Sequence, residues 1–142
     1  MDSMELAAIV GRADERPSDV DSQIDAAYAC DREDMEAEAV AYYDRAWQLG
    51  IPEARRHDFL IGYGSTLRNV GRLDDSLGIL ETAATEYPDD LAPNAFIALT
   101  LNSAGRSDEA VALLLESLIA ADGSGVARFG PALASYAELL RQ

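Results

Sequence analysis

Residues 71–81 read GRLDDSLGILE, and residues 105–116 read GRSDEAVALLLE. The two stretches begin 34 residues apart (105 − 71), and the match continues beyond them, since Leu67 corresponds to Leu101 and Leu80 to Leu114. A sequence that resembles itself at a period of about 20–50 residues is typical of proteins built from stacked structural repeats. The repetition therefore predicts units that cover one another's apolar faces.

The pattern inside each repeat predicts two helices separated by the glycine. Apolar residues recur at helical spacing on both sides of it: Phe59, Leu60, Tyr63, Leu67 and Val70 precede Gly71, Leu77, Leu80, Ala83, Ala84 and Tyr87 follow it, Phe96, Ile97, Leu99 and Leu101 precede Gly105, and Val111, Leu114, Leu115 and Leu118 follow it. Glycine is favoured just past a helix C-terminus, and Pro88 is expected to stop the helix before it. The apolar stripes are expected to form the core.

A third copy precedes these two, because Ala39, Tyr43 and Ala46 have the spacing found in the second helix of the later repeats. It is three residues longer, and Ala54-Arg55-Arg56 fill the difference, either in the loop after Pro52 or at the start of the next helix. The predicted organisation is a single domain, 1–142, with an N-terminal helix in 1–19, repeats at 20–56, 57–90 and 91–124, and a C-terminal capping helix in 125–142.

Both ends of the chain contain helix signals. Asp2 and Glu5 have the spacing of a capping box and predict a short helix through about Ala13. Ser18 is a candidate N-cap for the helix that follows. Gly123-Ser124-Gly125 is expected to break the chain, and residues 126–142 then read as one final helix, with Pro131 in its first turns or kinking it.

The charge of the chain disfavours two classes of binding partner. The 142 residues contain 11 basic residues, all arginine, and 26 acidic ones, for a net charge of −15. Such a charge repels nucleic acid and anionic membrane surfaces. Acids near the N-terminus disfavour a secretory signal, and the single cysteine fits a reducing compartment, so we expect a soluble, cytoplasmic protein. The sequence leaves undecided whether the single thiol, that of Cys30, is reactive.

The sequence contains no recognisable catalytic constellation. One His and one Cys are too few for a structural zinc site, and no glycine-rich phosphate loop is present. The acidic cluster at 31–38 lacks the spacing and glycine of a calcium-binding loop, so we interpret it as a solvated turn. His57 is expected to lie exposed near a helix start. We therefore expect no metal, no cofactor and no enzymatic activity.

The repeats resemble the tetratricopeptide repeat. That family has small residues at the eighth, twentieth and twenty-seventh places of a 34-residue unit and often proline at the thirty-second. The eighth place is matched by Ala27, Gly64 and Ala98, the twentieth by Ala39, Ser76 and Ala110, the twenty-seventh by Ala46, Ala83 and Ser117, and the thirty-second by Pro88. The family's early aromatic residue is replaced by Gln23, Leu60 and Asn94. Residues 61–72 also resemble a small bacterial subgroup, tetratricopeptide repeat group 5, which together with the arginine-only composition favours a bacterial origin.

The resemblance implies an all-α fold, a right-handed α-α superhelix (alpha solenoid) of three helix pairs with capping helices at both ends. It also implies a concave, peptide-binding groove lined by the first helix of each pair. The candidate groove residues are Tyr28, Ile61, Ser65, Arg68, Asn69, Leu99 and Asn102. Binding of chaperone tails through a carboxylate clamp is not supported, because the lysines of that clamp are absent.

Three functional hypotheses follow. The first is a non-enzymatic adaptor that binds a peptide or protein segment in the groove. The second is a self-associating, homodimeric structural protein, and the third is a small-ligand binder or an enzyme. For the groove itself an alternative stays open, in which Arg68 pairs with an acid such as Asp31 and Asn69 caps its own helix.

Overall fold

A computed structural model describes residues 1–121 and 125–142, and the regular elements in these ranges are all helices. The all-α prediction is confirmed. The described chain divides into two compact units, Met1–Arg72 (unit 1) and Leu73–Gln142 (unit 2). The boundary falls inside the predicted second repeat, between its two helices. No helix in the described ranges is long and apolar enough to cross a membrane.

Unit 1 contains four helices that pack pairwise. They are α1 (Ser3–Glu15), α2 (Val20–Arg32), α3 (Glu36–Leu49) and α4 (Glu53–Asn69). Helix α2 is central, because it contacts α1, α3 and α4, and α3 also packs on α4. The three extra residues of the first repeat lie in the first turns of α4, which is one of the two placements that the sequence allows.

Unit 2 contains the remaining helices. They are α5 (Leu73–Glu86), α6 (Ala92–Ser103), α7 (Ser107–Ala121), the short α8 (Gly125–Arg128) and α9 (Gly130–Leu140). Helix α6 packs against α5 and α7, and α7 also contacts α8 and α9. Within each repeat the two helices predicted from the sequence are present, with α5 ending one residue before Tyr87.

The turns inside the three repeats share one geometry. The backbone N–H of Arg72 donates to the Leu67 carbonyl at 2.9 Å, and that of Arg106 donates to the Leu101 carbonyl at 2.8 Å. The first repeat has the same bond, from Met35 to Cys30 at 2.9 Å. The residue that precedes each donor has a positive φ: +85° at Gly71, +76° at Gly105 and +57° at Asp34. The two glycines were predicted from the sequence, and the equivalent role of Asp34 was not.

The small residues that match the repeat pattern are all buried, as their role in close helix packing requires. The nine are Ala27, Gly64, Ala98, Ala39, Ser76, Ala110, Ala46, Ala83 and Ser117. A larger side chain at any of these places pushes two helices apart.

The residues that replace the early aromatic have specific packing roles. The Gln23 side chain, fully buried, donates to the carbonyls of Ala13 at 2.8 Å and Arg16 at 3.0 Å and accepts from Arg45 at 2.9 Å. It thereby ties α1 and α3 to α2. Asn94 donates to Ser117 at 3.2 Å, which joins α6 to α7.

Two predictions about the chain ends need correction. The N-cap of α2 is Asp19 and not Ser18, and the Asp19 carboxylate accepts a bond from the Ser22 hydroxyl. The final segment forms two helices rather than one, because Phe129 separates α8 from α9, and Pro131 lies at the start of α9, where a missing N–H leaves no helical bond unmade. The cap at Asp2 is confirmed, since its carboxylate accepts from the Glu5 N–H at 2.8 Å. Gly123 and Ser124 lie outside the described residues.

Candidate interaction surface

The structure distributes the seven candidate groove residues over both units. In unit 1, Tyr28 lies on α2, and Ile61, Ser65, Arg68 and Asn69 lie on α4; in unit 2, Leu99 and Asn102 lie on α6. Ile61, Ser65 and Arg68 follow one another at intervals of four and three residues, which places them on one face of α4. Helices α2 and α4 are in contact, so unit 1 presents five of the seven from two adjacent helices.

The carboxylate of Asp31 is occupied within unit 1. It accepts a 2.7 Å hydrogen bond from the Tyr43 hydroxyl and bonds of 3.0 Å from the Thr66 hydroxyl to both of its oxygens. One carboxylate thus connects α2, α3 and α4. The interpretation of the acidic cluster as a solvated turn is wrong for this residue, because its half-buried side chain bonds to two neighbouring helices.

Arg68 does not pair with Asp31, contrary to the alternative that the sequence left open. The guanidinium Nε of Arg68 is buried and has no hydrogen-bond partner within residues 1–121 and 125–142. Asn69 is exposed at the end of α4, and the described residues give its side chain no capping bond. Arg68 Nε is therefore buried without a partner among the described residues, whereas the Asn69 side chain is exposed to solvent.

The second buried polar atom without a hydrogen-bond partner in the described residues belongs to Tyr28. Its hydroxyl is buried and lacks a partner in the described part of the chain, and the guanidinium carbon of Arg55 lies 5.6 Å from its ring centroid. Burial raises the pKa of Tyr28, Arg55 opposes that rise, and the charges of Asp58, Asp25 and Asp31 add to it. The hydroxyl is thus neutral at physiological pH and able to donate one hydrogen bond.

An aromatic cluster supports this surface from inside unit 1. The ring of Tyr43 lies 5.4 Å from the rings of Phe59 and Tyr63 and 6.1 Å from that of Tyr28, and Trp47 stacks on Phe59. A Cβ added at Gly62 would lie 2.7 Å from the Tyr43 hydroxyl oxygen. Close packing on this scale holds α2, α3 and α4 in a defined arrangement.

An open cleft, here called the arginine cleft, lies on unit 1 beside Tyr28. Its lining residues are Ile9, Arg12, Asp25, Tyr28, Arg32 and Arg55. Arg12 and Arg55 are not among the candidate site residues predicted from the sequence, because neither occupies a repeat position associated with the groove. The one signal was the insertion of Ala54-Arg55-Arg56 relative to the other repeats.

Cys30 and His57 are explained by their surroundings. The Cys30 side chain is buried on α2, and burial raises the pKa of its thiol. This disfavours the reactive-thiol reading, since the thiolate is the nucleophilic form. The imidazole of His57 is 41% exposed near the start of α4, which agrees with the exposed position predicted from the sequence. Its Nδ1 atom lies 2.9 Å from the Asp58 carboxylate.

Unit 2 exposes apolar side chains that the sequence assigns to the core. On α7, Val111, Leu114 and Leu118 are 47%, 42% and 52% exposed, and on α9 Tyr136 and Leu139 are exposed as well. The three α7 residues follow at intervals of three and four, so they share one side of the helix. The expectation that the whole stripe is buried is wrong for these residues.

Comparison with known proteins agrees with this architecture. A family profile described as Tetratrico peptide repeat matches residues 21–140. No curated protein and no solved structure matches the chain. The profile spans most of the chain and covers α2 through α9, and the small residues of its helix pairs are buried where close packing demands them. The chain therefore belongs to the tetratricopeptide repeat family, whose members generally act as protein-interaction folds.

Proposed function

We propose that this protein is a non-enzymatic adaptor that binds a peptide or protein segment, with the α2–α4 face of unit 1 as a contact surface. The observation that carries the proposal is the pair of buried, unpartnered polar atoms on that face, Arg68 Nε and the Tyr28 hydroxyl. Leaving such an atom unsatisfied costs about 1–3 kcal/mol. A carbonyl or carboxylate oxygen from a bound segment offsets that cost once a side-chain rotation exposes either atom.

The chemistry of the face suits an extended chain. Arg68 donates through a planar fork, Asn69 both donates and accepts, and Ile61 supplies half-buried apolar surface. The aromatic cluster behind α4 keeps these groups in place before binding, which reduces the entropy lost on association. Family membership supports an interaction role in general, and the choice of this face is our own inference.

The test is affinity capture from a lysate of the native organism with four baits. Tyr28→Phe removes one unpartnered hydroxyl, and Arg68→Ala removes the unpartnered guanidinium. Tyr136→Phe, at an exposed tyrosine of unit 2, and Arg16→Ala, at an exposed arginine without a side-chain bond in the described residues, are the matched controls. We expect proteins that the controls retain and the two test variants lose.

Thermal unfolding of the same variants separates binding from folding. Tyr28→Phe should leave stability unchanged or raise it, because it removes a polar atom that has no partner. If all baits retain the same proteins, the α2–α4 face is not the contact surface. Leu99→Ser, at an exposed residue of α6, measures the contribution of unit 2 independently, whereas the Asn102 side chain already accepts a 2.7 Å bond from the Ser107 hydroxyl.

Self-association is the second candidate, and the exposed α7 side chains favour it. Val111, Leu114 and Leu118 form an apolar strip of the kind that packs against a second copy. Light scattering after gel filtration gives the mass of the wild type and of Leu118→Glu. Ala120→Glu, at an exposed residue of the same helix, adds the same charge as a control. A mass above the monomer that falls only in Leu118→Glu supports this candidate, and a monomeric wild type rejects it.

A further inference from the structure

Helix α9 has a wider apolar side than α7 covers. Its inner row faces α7, since a Cβ added at Gly130 would lie 3.6 Å from the Ile119 side chain. The members of this row are buried or half-buried: Gly130, Leu133, Ala137 and Leu140. Beside it runs a second row at intervals of three, four and three residues, which keeps it on one side of the helix. This outer row consists of Phe129, Ala132, Tyr136 and Leu139, and all of them are exposed.

An apolar outer row is unusual at the end of a repeat stack, where the last element ordinarily shows a polar face to water. The large side chains of Phe129, Tyr136 and Leu139 are 58%, 63% and 61% exposed. Glu138, the one charged residue within α9, lies two positions after Tyr136, about 200° around the helix, and so leaves the row uncharged. Apolar side chains that share one exposed face mark an interaction surface.

The charge of the chain is low where the outer row lies. Residues 91–142 contain five acids and three arginines, a net charge of −2, whereas residues 1–90 contain 21 acids and eight arginines, a net charge of −13. Arg106 and Arg141 are moreover paired with acids of α7. Two copies of an acidic chain repel each other least when they meet through a nearly neutral segment. The charge distribution therefore favours a second copy of this chain as the occupant of the outer row.

The outer row is also complementary to itself. Its intervals read the same in both directions, and its midpoint is the level of residue 134. A second α9 that runs antiparallel about a two-fold axis at that level brings Phe129 opposite Leu139 and Ala132 opposite Tyr136. A small residue then faces a large one at the inner pair, which is the arrangement that lets facing helices interlock.

We propose that the outer row of α9 is a self-association surface, on which a second copy of the chain docks its own α9 antiparallel. The pairing depends neither on the α2–α4 face nor on the apolar strip of α7. A paired adaptor presents two copies of its binding surface, and two linked sites hold a partner with two binding segments more strongly than one site does. That consequence, unlike the pairing itself, rests on the proposed function.

The contact is small, so the dimer should be weak. Helix α9 has 11 residues, and two facing helices of this length bury less than the roughly 1,200 Å² at which standard interfaces begin. We therefore expect a concentration-dependent dimer with a dissociation constant on the order of 100 μM.

Sedimentation velocity of the full chain, from about 10 μM to about 1 mM, tests for this dimer. Tyr136→Glu places a charge in the outer row. Ala134→Glu is the matched control, because it adds the same charge at an exposed residue about 200° around the same helix. We expect the wild type to pass from monomer to dimer over this range, Tyr136→Glu to weaken association at least about tenfold, and Ala134→Glu to leave it unchanged. A wild type that stays monomeric at about 1 mM, or equal effects of the two substitutions, overturns the proposal.

A second measurement needs no substitution and so does not depend on the folding of a variant. In an equimolar mixture of ¹³C-labelled and unlabelled wild type, isotope-filtered NOE spectra report contacts between copies. Phe129 and Leu139 are ten residues apart, about 15 Å along a helix, so a contact between the Phe129 ring and the Leu139 methyl groups comes from a second copy. We expect that contact. Contacts between copies at Val111 or Leu118 instead, or no contact between copies, overturn the proposal.

The two proposals fail independently. Capture with the Tyr28→Phe and Arg68→Ala baits tests residues of unit 1, whereas sedimentation and the NOE contact test α9 of unit 2. A monomeric protein that still captures partners through Arg68 keeps the adaptor role and rejects the α9 pairing. A dimer that captures no partner keeps the pairing and rejects the α2–α4 face.

Discussion

The hydroxyl of Tyr43 donates a 2.7 Å hydrogen bond to the carboxylate of Asp31, and this bond joins α3 to α2. The Thr66 hydroxyl binds the same carboxylate from α4. Both donors are almost completely buried. A charged acceptor with two buried donors is a strong connection between helices, because hydrogen bonds to a charged group are stronger than those between neutral groups.

Removal of one donor should therefore destabilise unit 1. We expect Tyr43→Phe to lower the free energy of unfolding by about 1–3 kcal/mol, the range for hydrogen bonds to charged groups. Thr66→Val removes the second donor with little change of shape. Urea unfolding of both single variants and the double variant forms a double-mutant cycle. A coupling energy indistinguishable from zero contradicts the idea that Asp31 joins the two donors.

A second prediction concerns Gly62, whose missing Cβ makes room for Tyr43. Because the added atom would lie 2.7 Å from the hydroxyl oxygen, and because Asp31 holds that hydroxyl, Gly62→Ala should cost about 1–3 kcal/mol through overpacking. In the Tyr43→Phe background the oxygen is gone and the next atom, Cζ, is 3.5 Å away. There the same substitution should be neutral or stabilising, since alanine favours a helix by about 1 kcal/mol over glycine.

Urea unfolding of the four proteins checks this reversal. The control is Gly78→Ala on α5, where an added Cβ meets no atom within 4 Å. Equal penalties for Gly62→Ala in both backgrounds would show that the contact with Tyr43 is not the cause.

The turn at Asp34 offers a way to stabilise the protein. Its φ of +57° is unfavourable for a residue with a Cβ, and the equivalent positions in the other repeats are glycines. We expect Asp34→Gly to raise the free energy of unfolding by about 0.5–1 kcal/mol. Asp34→Ala removes the same charge without relieving the backbone, so it should be less stable than Asp34→Gly. Thermal unfolding ranks the two, and the opposite order would contradict the argument.

Alkaline pH should destabilise unit 1 through its tyrosines. Burial and the hydrogen bond to Asp14 raise the pKa of Tyr42 to about 12, and burial and the bond to Asp31 raise the pKa of Tyr43 further. A tyrosine in the unfolded chain loses its proton at about pH 10. Because the folded pKa is the higher one, the unfolded state binds fewer protons above that pH, and stability is lost as pH rises.

Urea unfolding between about pH 9 and 12 measures this loss. The tyrosinate absorbance, followed in parallel, shows whether ionisation and unfolding coincide. Tyr42→Phe should reduce the slope of stability against pH, because one of the shifted groups is gone. An unchanged slope would mean that Tyr42 ionises without cost in the folded protein.

The turns and helix pairs of this chain follow from local chemistry. Glycine tolerates a positive φ, so Gly71 and Gly105 mark their turns within a few residues of sequence, and the small residues at repeat positions identify where helices approach. Asp34 was not predicted as a turn residue of this kind, because a positive φ is much less common for aspartate than for glycine. Its equivalence to Gly71 and Gly105 is visible only from the hydrogen bond between Met35 and Cys30 that encloses it.

The candidate site could be placed on its helices from the repeat register, but its bonding could not be predicted. Arg68 and Asp31 looked like partners because their charges are opposite. The packing of α3 and α4 against α2 instead brings Tyr43 and Thr66 to Asp31 and leaves Arg68 Nε without a partner in the described residues. Likewise, Arg12 and Arg32 meet at one cleft through contacts between α1 and α2 that no short stretch of sequence encodes.

The order of helices and turns, and the repeat register that puts Tyr28 and Arg68 on first helices of their pairs, are properties of the amino-acid sequence alone. They depend on backbone preferences and on residue periodicity, and both act over a few neighbouring residues. Which polar atoms are paired within the described chain and which are not was settled only by folding in three dimensions. Hydrogen bonds and ion pairs require distances of a few ångströms between residues far apart in the chain, and side-chain packing alone sets those distances.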